Sequence, residues 1–167
     1  MRPTYVGTHA SSEREKELTM IEDWLNLLAG NDYDEPRLVE LLKTMDIPTR
    51  DALIMVAIDP TDYTPEQVRA MCTPKADRAI RDAMRRAAAR PRQISPVRAD
   101  ALNRVAQEAN TADAHALAAY VDWWHGWDRW AYERILDASV LDSRHSLTAI
   151  IASLYANGMR PDTLLSD

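Results

Sequence analysis

Three groups of residues in this 167-residue chain have types and spacings that could do chemistry. His115, Asp122 and His125 fall at i, i+7 and i+10, which on one helix places two imidazoles and a carboxylate on a single face. Such a face could hold a metal ion or pass a proton. Neither an HExxH pattern nor an EF-hand loop accompanies it, so we read these as satisfied structural side chains and expect no metal and no cofactor.

The second group is the run Trp123-Trp124-His125-Gly126-Trp127-Asp128-Arg129-Trp130, which holds four of the five tryptophans. On a helix, Trp124 falls in line with Leu117 and Val121 and points to the core, whereas Trp123, turned by about 100°, is expected on a different face. Two readings stay open. The rings form a knot that locks a tight helical turn, or a partly exposed groove in which Trp123, Trp127, Trp130 and Arg129 anchor a partner peptide, since Trp and Arg are enriched at binding hot spots.

The third group is a stripe of arginines. A helix over 74–90 puts Ala76, Ile80, Ala83, Met84 and Ala87 on one face and Arg78, Arg81 and Arg85 on the other. With Arg86 and Arg90 these form a candidate phosphate-binding set. No aromatic is interleaved, so a stacking platform for single strands is not indicated. Two further readings of the stripe stay open, a merely solvated face and a dock for the protein's own acidic helices.

Other catalytic patterns are missing. The chain has only four glycines, and no Gly-rich phosphate loop, GxSxG elbow or GxGxxG. Glu40, Asp46 and Glu66 form no paired spacing, and Cys72 is the single cysteine, which excludes an intrachain disulfide or a thiolate zinc site. We name no catalytic residue.

Charge is segregated along the chain. Residues 1–72 carry seven basic and fourteen acidic side chains, 73–98 eight and two, and 99–167 five and ten, within a net charge of −6. A basic band between acidic flanks does not describe a uniformly basic nucleic-acid binder. No apolar run approaches the roughly 20 residues that span a bilayer, and 1–12 holds no signal-like hydrophobic segment, so a cytoplasmic protein without a membrane partner is expected.

The elements that must position these groups read as helices throughout. Glycine is scarce and alanine frequent. Ser12-Glu13-Arg14-Glu15 has the form of a capping box, opening a helix with Leu18, Ile21, Trp24, Leu25 and Leu28 on its apolar stripe and Gly30 at its end. Asp34 and Pro36 open a second helix. Thr49 caps a third over 51–58, whose unbroken apolar run 53–58 could also be a buried strand but finds no strand partner. Thr64-Pro65, Thr73-Pro74 and Ser95-Pro96 are three further starts, the first completed by Gln67. Helices are expected over 65–72, 74–90, 96–109, 112–125, 128–140 and 145–157.

From residue 114 onward the spacing Ala119, Gly126, Ala131, Ile135, Ala138 resembles one tetratricopeptide hairpin, although Asp122 and Ser143 replace the aromatic and proline preferred there, and no second copy follows at a period of about 34. The stretch Trp123-x-x-Gly126-x-x-x-x-Ala131, Ala138, His145-Ser146-Leu147-Thr148-Ala149 and Gly158-x-x-Pro161, with Arg50-Asp51-Ala52-Leu53 upstream, resembles the C-terminal helical half of an actinobacterial family of domains of unknown function. Asp128 stands where that family often has a second glycine, and acidic helices replace its N-terminal half. The resemblance implies a helical fold and transfers no catalytic residue.

The sequence therefore reads as an all-α, compact bundle of about nine helices. A flexible arm is expected at 1–10, one helical domain at 11–161 (acidic 11–60, basic 64–98, tetratricopeptide-like 99–161), and a tail at 162–167. The function expected is a non-enzymatic protein–protein interaction module; a homodimer is left open. The alternative is a nucleic-acid-associated regulator using the basic segment 74–92, and a second alternative an enzyme of unrecognised type.

Overall fold

In the computed structural model of the chain, which describes residues 7–163, nine helices succeed one another among the described residues and no strand occurs there. They are α1 (Gly7–Ala29), α2 (Glu35–Thr44), α3 (Ile47–Ile58), α4 (Pro65–Met71), α5 (Asp77–Ala89), α6 (Pro96–Ala109), α7 (Ala112–His125), α8 (Asp128–Leu141) and α9 (Ser146–Ala156). No described helix is long and apolar enough to cross a membrane.

Local capping chemistry sets most of the starts. Asp34 accepts from Arg37 N, Ser95 from Arg98 N and Thr111 from Ala114 N, each three residues on. Both halves of the Thr64/Gln67 capping box form. Three expected starts are corrected. α1 already runs from Gly7, so Ser12 lies inside a helix whose residues 10–16 face solvent, and 7–10 are helical rather than an arm; residues 1–6 of that arm, and 164–167 of the tail, lie outside the described residues. α3 is capped by Asp46, which accepts from Thr49 N at 2.9 Å, because Pro48 fits the first helical turn and places the cap before it. Thr73-Pro74 closes a tight turn instead: Thr73 Oγ1 accepts from Lys75 N and its carbonyl from Ala76 N, so α5 begins only at Asp77, without a side-chain cap.

Packing centres on two helices. α3 lies against α4, α5 and α7, while α7 lies against α2, α3, α6, α8 and α9, and α1 packs on α2, α4 and α6. Because α3 is surrounded, residues 52–58 are all buried, and its apolar run is a helix hydrophobic on every side rather than a strand. α7 buries ten of its fourteen residues for the same reason.

α7 and α8 pack most densely, joined by the two-residue turn Gly126-Trp127. The turn is a Schellman ending: Gly126 N–H donates to Trp123 O and Trp127 N–H to Asp122 O at 2.8 Å. Gly126 sits at φ +76°, and an added Cβ would meet nothing within 4 Å, so the requirement is backbone conformation and not space. Ala114, Ala118, Ala131 and Ala138, all fully buried, permit the close approach of the two helices.

Candidate functional site

The aromatic run ends α7 and opens α8, beside a cleft of about 430 Å³. Ala88 and Pro91 at the end of α5 form one wall, Trp124 and His125 a second, and Arg160 and Pro161 after α9 a third. His125 is fixed in place: its Nδ1 lies 2.8 Å from Val121 O, its Nε2 3.0 Å from Arg92 O, and its ring stacks on Trp127 with centroids 4.5 Å apart. At the rim, Arg160 grips Asp128 through two bonds of 2.8 and 2.9 Å, and Tyr155 donates to the same carboxylate. Those contacts, the Arg160 bond foremost, hold the Asp128 carboxyl below its ordinary range. Asp128 and Arg160 are matched to each other at a rim that Asp162 also lines.

The residues assigned to partner binding divide. Trp123 is 0% exposed, against expectation; its indole N–H donates to Met159 O at 3.0 Å, and its ring meets Tyr120 and Trp124 edge-on. It belongs to the core because α7 is covered on all sides, so a rotation of 100° from Trp124 about the helix still points into protein. Trp127 and Trp130 are half-buried and meet edge to face at 6.0 Å, and Arg129 stands in solvent with Glu133 at 3.5 Å.

The arginine stripe also divides. Arg78, Arg81, Arg85 and Arg90 are exposed. Arg86 is spent on Asp59, which is fully buried at the end of α3: two guanidinium nitrogens reach that carboxylate, the closest at 2.8 Å, while Tyr63 and Thr61 also donate to it. Burial pushes the Asp59 carboxyl up, and these hydrogen bonds outweigh it, holding the group below its ordinary range. Arg92 donates to Val56 O and Thr61 O, and Arg98 to Leu28 O. Arg86, Arg92 and Arg98 thus satisfy the C-terminal ends of α3 and α1, where orphan carbonyls and the helix dipole attract cations. The expected docking of the stripe on the acidic segment 11–60 holds for Arg86, through Asp59, and not for the exposed Arg78, Arg81, Arg85 and Arg90. α5 packs on α3, and the acids of α1 and α2 are met by Arg37, Arg69 and Arg104.

The two fates predict two stabilities. Replacing Arg78, Arg81 and Arg85 together by Gln should move the urea-unfolding free energy by less than about 0.5 kcal/mol. Arg86→Ala should cost about 3 kcal/mol, because it strands a buried carboxylate that keeps only its Tyr63 and Thr61 bonds. A triple variant as damaged as Arg86→Ala would contradict this division.

His115, Asp122 and His125 do not converge. His115 Nε2 pairs with Asn110 Oδ1, Asp122 accepts from Asn103, and both His125 nitrogens face backbone carbonyls. Among the described residues no group of three His, Cys, Asp or Glu side chains could hold a metal ion. Asp122 and His115 belong to a buried polar seam between α6, α7 and α8. Four buried atoms there lack a hydrogen-bond partner: Asn103 Oδ1, His115 Nδ1, Asp122 Oδ2 and Arg134 Nε. Burial lowers the His115 pKa and pushes the Asp122 carboxyl up to about 8.

One constellation escaped the sequence reading. His145 Nε2 lies 2.8 Å from Asp113 Oδ1, its Nδ1 lies 2.9 Å from Thr148 Oγ1, and Arg50 donates to Asp113 at 2.9 Å. The order hydroxyl, imidazole, carboxylate is that of a nucleophile, base and orienting acid. Thr148 is buried, however, and its backbone N–H also donates to His145 Nδ1, so the imidazole acts as the N-cap of α9 and ties α9 to α7 and α3. Cys72 donates to Val68 O, and burial lifts its thiol pKa to about 11, which leaves it a poor nucleophile.

The fold and cleft define an all-helical bundle with an aromatic-walled groove beside a helical hairpin. No protein-family model, curated protein or solved structure matches the chain.

Proposed function

We propose that this chain is a non-enzymatic protein–protein interaction module that seats a segment of a partner protein in the cleft beside the α7–α8 turn. The observation that carries the reading is the cleft itself: about 430 Å³ walled by Trp124, His125, Pro91 and Pro161, with Asp128 and Arg160 at its rim paired to each other. That volume suits an apolar anchor side chain with its flanking backbone. Half-buried Trp127 and Trp130 extend the aromatic surface past the turn. We also read α7–α8 as tetratricopeptide-like, supported by Ala131 and Ala138 buried against α7 across a glycine turn, a repeat type whose stacked helices present binding surfaces.

The test is affinity capture with the wild type and with Ala88→Arg, which places a long cation in the cleft from a half-buried position. A partner retained by the wild type at low and high salt and lost from the variant, at unchanged melting temperature, supports the reading. Equal capture by both proteins contradicts it.

A second reading rests on the solvent-facing Arg78, Arg81, Arg85 and Arg90, which no acidic helix covers. It makes the chain a nucleic-acid-associated regulator. Binding of duplex DNA or RNA that collapses with salt and disappears in the Arg78, Arg81 and Arg85 to Gln variant would put this reading first.

A further inference from the structure

We infer that the outward face of α8 and α9 is a surface on which two copies of this chain meet. Tyr132, Leu136 and Val140 recur every four residues along α8 and are 52%, 66% and 86% exposed. Ile150 on α9 adds 54%, and Leu141 lies at the end of α8. Of the large hydrophobic side chains exposed among the described residues, only Ile47 and Val97 lie elsewhere. Singly exposed apolar residues are ordinary, whereas a contiguous group on two packed helices marks a contact surface.

Charge identifies the occupant. α9 contains no charged residue, and Ala149, Ala152, Ser153 and Ala156 give it an outward surface of small side chains over which another helix can pass closely. A polyanion or a strongly charged protein finds no complement on such a surface. Two molecules of net charge −6 find there the patch where they approach with least like-charge repulsion.

The face also complements itself, as a two-fold interface must. With α8 antiparallel to α8 about an axis at Leu136, Tyr132 of one copy stands opposite Val140 of the other. The same register sets the exposed Arg129 of each copy beside the exposed Asp142 of the other, so opposite charges meet at both ends. Two side-by-side helices of this length offer about 400 Å² per copy. That lies below the roughly 800 Å² per partner of a standard stable interface, so a dissociation constant in the tens of micromolar is expected. The inference uses a different surface from the cleft and does not rest on it.

Sedimentation velocity over about 5 to 300 µM tests it, a range that brackets such a constant. The wild type should shift from monomer to dimer across the range. Leu136→Asp and Val140→Asp, both at exposed positions, should stay monomeric throughout with near-wild-type melting. Arg129→Glu should weaken association about fivefold, and adding Asp142→Arg in the same chain should restore it. A wild type that remains monomeric at the top concentration overturns the proposal. So does a dimer that Leu136→Asp leaves intact, or a charge reversal that fails to restore.

Discussion

Trp123→Ala is expected to lower unfolding free energy by about 3 to 5 kcal/mol, the range for emptying a buried aromatic site. The ring is 0% exposed and packed edge-on against Tyr120 and Trp124, with centroids 5.6 and 5.9 Å away, so little can collapse into the space. The loss also strands the Met159 carbonyl that the indole N–H satisfies, adding about 1 kcal/mol and loosening the segment that carries Arg160 and Pro161 to the cleft. A chain of this size loses roughly 2 to 4 °C of melting temperature per kcal/mol, so a drop of about 10 °C or more should be visible by circular dichroism. Trp130→Ala, at a half-buried ring, is the matched control and should cost much less. Equal effects of the two changes would mean that Trp123 is not the core residue described.

That contrast shows what the sequence could and could not reveal. A cap is a contact over three residues, so Asp34, Thr64 and Ser95 announced their helices in the local pattern. The same signature misled at Ser12, because a capping box inside a longer helix leaves its side chains in water and costs nothing. Trp123 was misplaced by an assumption: a one-sided stripe describes a surface helix, whereas α7 is covered by five neighbours. The near absence of charge from residues 114–121 of α7 was a signal that could have corrected it.

The fates of the arginines were unreadable for a different reason. Arg86 reaches Asp59 across 27 residues and Arg98 reaches Leu28 across 70, and no local pattern encodes pairs of that separation. Arg86 and Arg85 are neighbours in the chain, yet one closes a buried carboxylate while the other stays 74% exposed beside Asp82. The cleft has the same character, since α5, the α7–α8 turn and the stretch after α9 meet only in the folded molecule. Its aromatic side was visible in the sequence; Ala88, Pro91, Arg160 and Pro161 were not.

Asp122→Asn is expected to stabilise the protein, and to do so only above acidic pH. Burial pushes the Asp122 carboxyl up to about 8, and neither the Asn103 hydrogen bond nor the charge of Arg134 outweighs that. In the unfolded chain the same group titrates near about 3.9. Between those values the native state holds a proton that the unfolded state has released, so stability is full below about pH 4 and is lost as pH rises toward about 8. The amide cannot ionise and escapes this loss. It also keeps the pairing, because Asn103 Nδ2 donates to Asp122 Oδ1 at 3.0 Å while Asn103 Oδ1 and Asp122 Oδ2 both lack a partner. A proton on the acid, or an N–H of the amide, is the donor that this pair of oxygens lacks. The variant should therefore exceed the wild type by roughly 5 kcal/mol at about pH 8 and match it near about pH 4. Urea unfolding of both proteins across that range isolates the term, since Asp59, Asp113 and every other carboxylate titrate alike in the two. Parallel stability curves, with no divergence as pH rises, would show that Asp122 is ionised in the native state and that the seam holds its charge by other means.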